Sequence, residues 1–351
     1  MTRIAFIGAG KHAQCIHLPN YQAQPGVEVV ALVDGDLELA KKVAQKFAIP
    51  KTYASHAELL KNEKIDAAVV ILPAIPLAET ILCDLMTAKI PTISEKPLAW
   101  SVPSAERIVA HQKKTGSPLF VGYHKRCDPA SMWAKGQIEK ASQSGDMGKM
   151  RYAKVHISLA GDWIANGYRT FIKGAAVPPT APFPEGDFAG MSKDARAKYG
   201  PFAGAHSHQL DLMRFLLGAR YHVKYVDPSG VVLAVEGDNG VPGVFEFSPY
   251  NSTKDWREQG LVCFEKGFLK VDLPAPLAMN RAGTAELFRD DGGEALPTST
   301  LPVFSSKSAM FSVAENFLAA LKGGKTVLCT PEEARDSLVV ARDWAMGLCP
   351  A

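Results

Sequence analysis

The first 34 residues constrain this chain most. Arg3-Ile4-Ala5-Phe6-Ile7 is a short, mostly apolar run, and Gly8-Ala9-Gly10-Lys11-His12-Ala13 follows it directly. A second apolar run, Val27 to Val33, ends on Asp34. The order strand, glycine turn, helix, strand, acid belongs to a mononucleotide-binding half of a doubly wound α/β sheet. Gly8 permits a tight turn out of the strand, Gly10 lets a pyrophosphate approach the backbone, and Ala13 is small enough for the helix to pack on the sheet. The helix N-terminus turns unpaired N–H groups toward the phosphates. Asp34 stands about 20 residues on, where a carboxylate bonds both ribose hydroxyls. A 2′-phosphate there would meet the Asp34 charge and Gly35 offers no base, so NAD is favoured; Lys41 and Lys42 keep NADP open. The cofactor-binding set is Gly8, Gly10, Lys11, His12, Ala13 and Asp34, with Leu72, Pro73, Glu95 and Lys96 further along.

A chain of 351 residues with 47% hydrophobic composition is long enough for two cored domains. Its 39 basic and 36 acidic residues nearly balance, which does not suggest a nucleic-acid or membrane surface. No apolar run approaches the ~20 residues of a membrane span, and the chain enters its first strand at once, so no signal peptide fits. The six scattered cysteines lack metal or disulfide spacing and read as reduced thiols in a cytoplasmic protein.

Residues 1–123 alternate strand and helix as a parallel sheet requires. Helices are expected over 36–47, 56–61, 78–88 and 102–115, and strands over 52–53, 67–72, 92–94 and 119–123. Residues 124–351 have a different texture: a helix over 132–142, a strand over 150–158, five short strands between 223 and 271, and helices over 206–217, 309–322 and 331–346. Residues 174–204 hold five prolines and five glycines, too many breakers for regular structure; long ordered loops of this kind often serve as lids or binding loops. The fold class is α/β: an N-terminal Rossmann domain, then an α+β domain for substrate binding and oligomerisation.

Ser94-Glu95-Lys96-Pro97 sits where the fifth parallel strand ends, so Lys96 should face the nicotinamide end of the cofactor. With the opening, this resembles the GFO/IDH/MocA family of NAD(P)-dependent oxidoreductases. Glu95-Lys96-Pro97 matches that family's EKP element, Tyr123-His124-Lys125-Arg126 its segment leaving the last Rossmann strand, and His208-Gln209-Leu210-Asp211 its HxxD element. The resemblance implies a second domain with a large, open, mostly antiparallel sheet. It implies hydride transfer between nicotinamide and a sugar, cyclitol or related polyol carbon, in the cleft between the domains. It also implies that Lys96 and His208 stand at the reacting oxygen, with Asp211 three residues on to orient the imidazole.

The chain departs from the family where Gly204 and His206 replace the usual Asp and Gly, and His206 is carried as a candidate replacement in the catalytic set. Leu72-Pro73-Ala74 replaces Thr-Pro-Asn. Trp163, Tyr168 and Arg169, with Arg126, suit a sugar ring bearing a polar or charged group. No metal site is expected: His206 and His208 point to different helix faces. Two rivals keep the dinucleotide: glycoside cleavage through transient oxidation and elimination, and a non-catalytic regulator. A homodimer or homotetramer is expected, since an open sheet covered on one face leaves the other for a symmetric partner.

Overall fold

The computed structural model describes residues 1–159, 161–168, 170–175 and 181–349. Arg169 and residues 176–180 of the breaker-rich stretch lie outside them. The chain divides into two compact units. The first holds 1–123, 167–190 and 313–338; the second holds 124–166, 191–312 and 339–351. Two later segments expected in the second domain therefore group with the first unit.

The first unit is built on strands β1 (Thr2–Ile7), β2 (Val27–Val33), β3 (Lys51–Tyr53), β4 (Ala67–Val70), β5 (Thr92–Ser94) and β6 (Leu119–Val121). All pair in parallel, in the order β3-β2-β1-β4-β5-β6. The order reverses between β1 and β4, and ligands of such sheets bind beyond the strand ends at that point. Strand β4 is buried at every residue, as a central parallel strand covered on both faces must be. Helices α1 (Leu18–Gln22), α2 (Leu37–Lys46), α3 (His56–Asn62), α4 (Pro76–Thr87) and α5 (Val102–Thr115) connect the strands. Three of their starts carry ordinary caps: Asp36, Ser55 and Ser101 each accept a backbone N–H from the first turn. Between the glycine turn and α1, residues Ala13–His17 form one π turn.

The second unit starts with α6 (Pro129–Ser144), β7 (Met150–Ser158) and α7 (Lys193–Leu217), followed by β8 (Tyr221–Val226), β9 (Val232–Gly237), β10 (Pro242–Phe247), β11 (Arg257–Phe264), β12 (Gly267–Leu273), β13 (Thr284–Arg289) and β14 (Thr298–Thr300). The chain closes with α8 (Ala309–Leu321) and α9 (Pro331–Leu348). The eight strands run β14-β13-β12-β11-β7-β10-β9-β8; only β7 and β10 pair in parallel. Strands alternate buried and half-buried residues, as in β11, the pattern of a sheet with one face on the core. Two features differ from the sequence reading. Strands β13 and β14 escaped it: β14 is short, polar and exposed, and β13 is mostly half-buried, without a clear buried–exposed alternation. Helix α7 begins at Lys193, inside the stretch expected to be irregular. Ser192 caps it, and Pro201 sits within it. A proline removes one helical hydrogen bond, and the buried face from Tyr199 to Leu217 offsets that. Among the described residues, no helix is long and apolar enough to cross a membrane, and the six cysteines are unbridged.

Gly8 locks the turn to the switch point. Its φ is +106°, and a Cβ there would lie 2.3 Å from the Ile71 carbonyl oxygen. At Gly10 a Cβ would meet nothing within 4 Å. Gly8→Ala is therefore expected to lower unfolding free energy by about 3 kcal/mol or more, through backbone strain and overpacking. Gly10→Ala should stay within about 1 kcal/mol of wild type. Denaturant titration of both variants checks this, and equal midpoints would contradict it.

Candidate functional site

The cradle of the first unit is shaped by Asp34. Its Oδ2 accepts the Ala9 N–H (2.8 Å) and its Oδ1 accepts the Asp36 N–H (2.9 Å). The acid that ends β2 thus fixes the glycine turn that ends β1. Ala13 is fully buried and lets the helix close on the sheet. The oriented carboxylate and the space at Gly10, where a Cβ would meet no heavy atom of the described residues within 4 Å, fit a dinucleotide. Leu72 lines the turn, its Cδ2 3.3 Å from where a Gly8 Cβ would lie; Pro73 beside it is exposed. Lys11 does not stand free toward phosphates. Its ammonium lies over the Tyr168 ring, 3.9 Å from the centroid.

Tyr168 belongs to a segment that the side chains of this unit hold down. Gln14 donates to the Ile172 carbonyl (2.9 Å) and accepts the Ile172 N–H (2.9 Å). Lys46 donates to the Thr170 carbonyl, and Asp36 accepts the Ala175 N–H. Further along, Asp187 accepts from Trp100, Ser101 and Arg107. The breaker-rich stretch is thus held at Ala175 by the cap of α2 and at Asp187 by Trp100, Ser101 and Arg107.

Beyond β5, Glu95 is buried and meets two imidazoles. His17 Nε2 lies 2.6 Å from Glu95 Oε1, and His12 Nε2 lies 3.4 Å from the same oxygen. Burial alone would raise the Glu95 pKa; the hydrogen bonds from His12 and His17 overcome this and hold it well below the carboxylate range. Burial lowers the His17 pKa, opposed by Glu95. Lys96 follows, its pKa lowered by burial against the raising effect of the Glu95 charge. Sequence reasoning named His12 and Glu95 but missed His17. Five residues apart on an α-helix, His12 and His17 would point about 140° apart. The π turn closes the hydrogen bond from Leu18 N–H to the Ala13 carbonyl and brings both rings to one side, with centroids 5.1 Å apart.

In the second unit, residues His124–Cys127 form a single 3-10 turn in which all four side chains are buried. The His124 ring meets the His208 ring edge-on, centroids 4.2 Å apart. Arg126, expected to touch substrate, instead forms a two-pronged pair with Asp211: Nε to Oδ2 at 2.8 Å and Nη2 to Oδ1 at 2.6 Å. Both oxygens of Asp211, expected to orient His208, accept from this guanidinium. Lys125 pairs with the buried Glu258 (2.6 Å), which also accepts from Gln209 and Trp256. Trp163 is 43% exposed and lies in the second unit, whereas Tyr168 lies in the first. Lys96 belongs to the first unit and His208 to the second.

His206 is not beside His208. It packs against Phe202 (4.8 Å between centroids) and Phe247 (4.5 Å), and its Nδ1 has no hydrogen-bond partner among the described residues. Successive even positions on a helix turn by about 200°, so the two imidazoles face apart. Burial pushes the His206 pKa down to about 4. The unfolded chain takes up this proton first, near pH 6.5, so the stability this residue supports is complete above pH 6.5 and is lost as pH falls toward 4. That loss amounts to about 3 kcal/mol. His206→Phe should lack it, so the difference in unfolding free energy between variant and wild type should change with pH across this window. Parallel stability–pH curves would contradict the placement.

Comparison with known proteins agrees with this architecture. Residues 2–123 match the model of an oxidoreductase family with an NAD-binding Rossmann fold, GFO/IDH/MocA. The chain is 25% identical over 262 residues to a scyllo-inositol 2-dehydrogenase (NAD(+)) of Bacillus subtilis, covering 70% of this chain and 67% of that protein. It is 31% identical over 142 residues to an inositol 2-dehydrogenase of Acidothermus cellulolyticus, covering 40% of this chain and 41% of that protein. An oxidoreductase from Agrobacterium radiobacter, solved with NAD+, L-tartaric acid and magnesium, shares the fold with a TM-score of 0.68 at 17% identity, over 99% of this chain and 96% of that one. Over residues 2–123 the chain is similar to the GFO/IDH/MocA oxidoreductase family.

Proposed function

We propose that the protein is an NAD-dependent oxidoreductase that moves a hydride between nicotinamide and a hydroxyl-bearing carbon of a sugar, cyclitol or related polyol. The observation that carries this is the pairing, in one unit, of an acid-ended dinucleotide cradle on β1 and β2 with a lysine just beyond the end of β5 in the same sheet. Ala9 and Asp36 N–H groups hold Asp34, and Glu95 flanks Lys96. The relatives named as inositol dehydrogenases support the substrate class. When bound, the nicotinamide accepts or donates the hydride.

The chain's own side chains do the rest. In oxidation the carbon loses hydride as its hydroxyl loses a proton, and the C–O bond becomes a carbonyl. His208 is assigned to take that proton, since a neutral imidazole nitrogen can accept one. Lys96 is assigned to hold the oxygen while its charge changes; as an ammonium in a half-buried site it stabilises a developing alkoxide more than it would in water. Asp211 acts through Arg126: a fully buried carboxylate paired with a guanidinium fixes the helix that bears His208 to the turn that bears His124. Trp163, Tyr168 and Arg169 remain the candidates for the sugar ring. A homodimer or homotetramer is part of this reading, because an open sheet needs a cover on its second face.

A panel of sugars and polyols, followed at the NADH absorbance, tests the assignment. Wild type should reduce NAD with at least one member. Lys96→Ala should lower kcat for that substrate by roughly 10²–10³-fold, with a smaller change in KM. Equal rates in the two proteins would remove Lys96 from the reaction.

A further inference from the structure

Two histidines converge on one buried carboxylate beside the lysine. Glu95 Oε1 receives His17 at 2.6 Å and lies 3.4 Å from His12, while Glu95 Oε2 accepts the Lys96 backbone N–H at 3.1 Å. A carboxylate can only accept, so the His17 Nε2 carries the proton in this contact. We propose that His17 is a positioning residue for Lys96: by donating to Glu95 it holds in place the carboxylate whose other oxygen accepts the Lys96 backbone N–H, and so keeps a negative charge beside the lysine.

Three observations support this chain of action. Glu95 and His17 are both buried, so the bond between them is shielded from water and screening. The π turn Ala13–His17, buried at all five residues, brings His17 to the side of His12. Such turns frequently interrupt helices at functional sites. Finally, burial works against the charged form of both Glu95 and Lys96, so each depends on its neighbours to stay ionised. Among the described residues, the other titratable groups around the cluster include Lys11, His12 and Cys15 near the glycine turn, Tyr21, which lines one small cavity with His17 and Glu95, and Tyr168 on the anchored segment. Lys11 is turned onto the Tyr168 ring. The Tyr168 hydroxyl is held neutral by burial and by Cys15 and Glu95.

His, His and Glu are also a donor set for zinc, and the three donor atoms lie within 4.8 Å of one another. Ligands on a tetrahedral zinc ion sit about 3.3 Å apart, given bonds of about 2.0–2.1 Å. The 2.6 Å between His17 and Glu95 is a proton-sharing distance instead, and a lysine cation stands next in sequence.

The inference rests on the reading that Lys96 meets the reacting oxygen, but its test does not need turnover. The pH dependence of Lys96 acetylation by acetic anhydride, read by peptide mass spectrometry on the intact folded chain, reports when the amine loses its proton. His17→Leu should move the midpoint down by about one pH unit or more, and Glu95→Gln should move it the same way. His17→Gln, whose side-chain N–H can donate from the same place, should stay within about 0.3 unit of wild type. If His17→Leu does not fold, Glu95→Gln carries the same comparison. The alkaline limb of the kcat profile, on a panel substrate, should shift in parallel. An unmoved midpoint in either His17→Leu or Glu95→Gln would overturn the proposal, as would stoichiometric zinc bound by wild type and lost in His17→Leu. Shifted midpoints without turnover on any polyol would uphold the proposal and overturn the functional reading.

Discussion

The hydrogen bond from the Ala9 amide to Asp34 is the constraint on which the site in the first unit depends. It joins the end of β1 to the end of β2 through a charged acceptor, which makes it stronger than a neutral bond of the same length. The same carboxylate takes the Asp36 amide and so sets the start of α2. Gly8 supplies the other half of the lock, since the turn presses on the Ile71 carbonyl so closely that no side chain fits. With the turn fixed on both sides, Gly10 faces open space and the acid keeps lone pairs for a ribose. In the proposed function, recognition and folding share one carboxylate.

Both units place ionised groups where water is scarce, and both pair them. Arg126 and Asp211 form a two-pronged pair, and Lys125 and Glu258 a second one tied in by Gln209 and Trp256. Glu95 relies on two histidines. Buried pairs of this kind contribute little net stability, because desolvation offsets their attraction, but breaking one partner is costly. Their value here is geometric. Each pair admits one arrangement, and those arrangements fix the turn 124–127 against α7 and the end of β5 against the helix that follows the glycine turn.

Much of this was legible in the sequence, for identifiable reasons. The six parallel strands follow from buried apolar runs separated by helical periodicity, and the cradle from Gly8, Gly10, Ala13 and Asp34. What escaped the sequence depends on contacts between distant segments. The π turn is invisible to a periodicity that assumes 3.6 residues per turn, so His17 was missed. Pro201 and nearby glycines read as breakers, yet α7 runs through them because its buried face outweighs local preference. Arg126 read as a free base for a substrate; only the fold shows that Asp211, 85 residues on, takes its charge. His206 read as a stand-in within the catalytic set, and its aromatic surroundings include β10, which the local sequence does not announce.

The central claim is that the first unit selects its cofactor through the Asp34 carboxylate. Calorimetric titration of the purified chain with NAD and with NADP measures that directly. A 2′-phosphate set against a carboxylate already held by two backbone amides is repelled, so NAD should bind at least about tenfold more tightly, a difference of about 1.4 kcal/mol. Equal affinities, or tighter binding of NADP, would contradict the account.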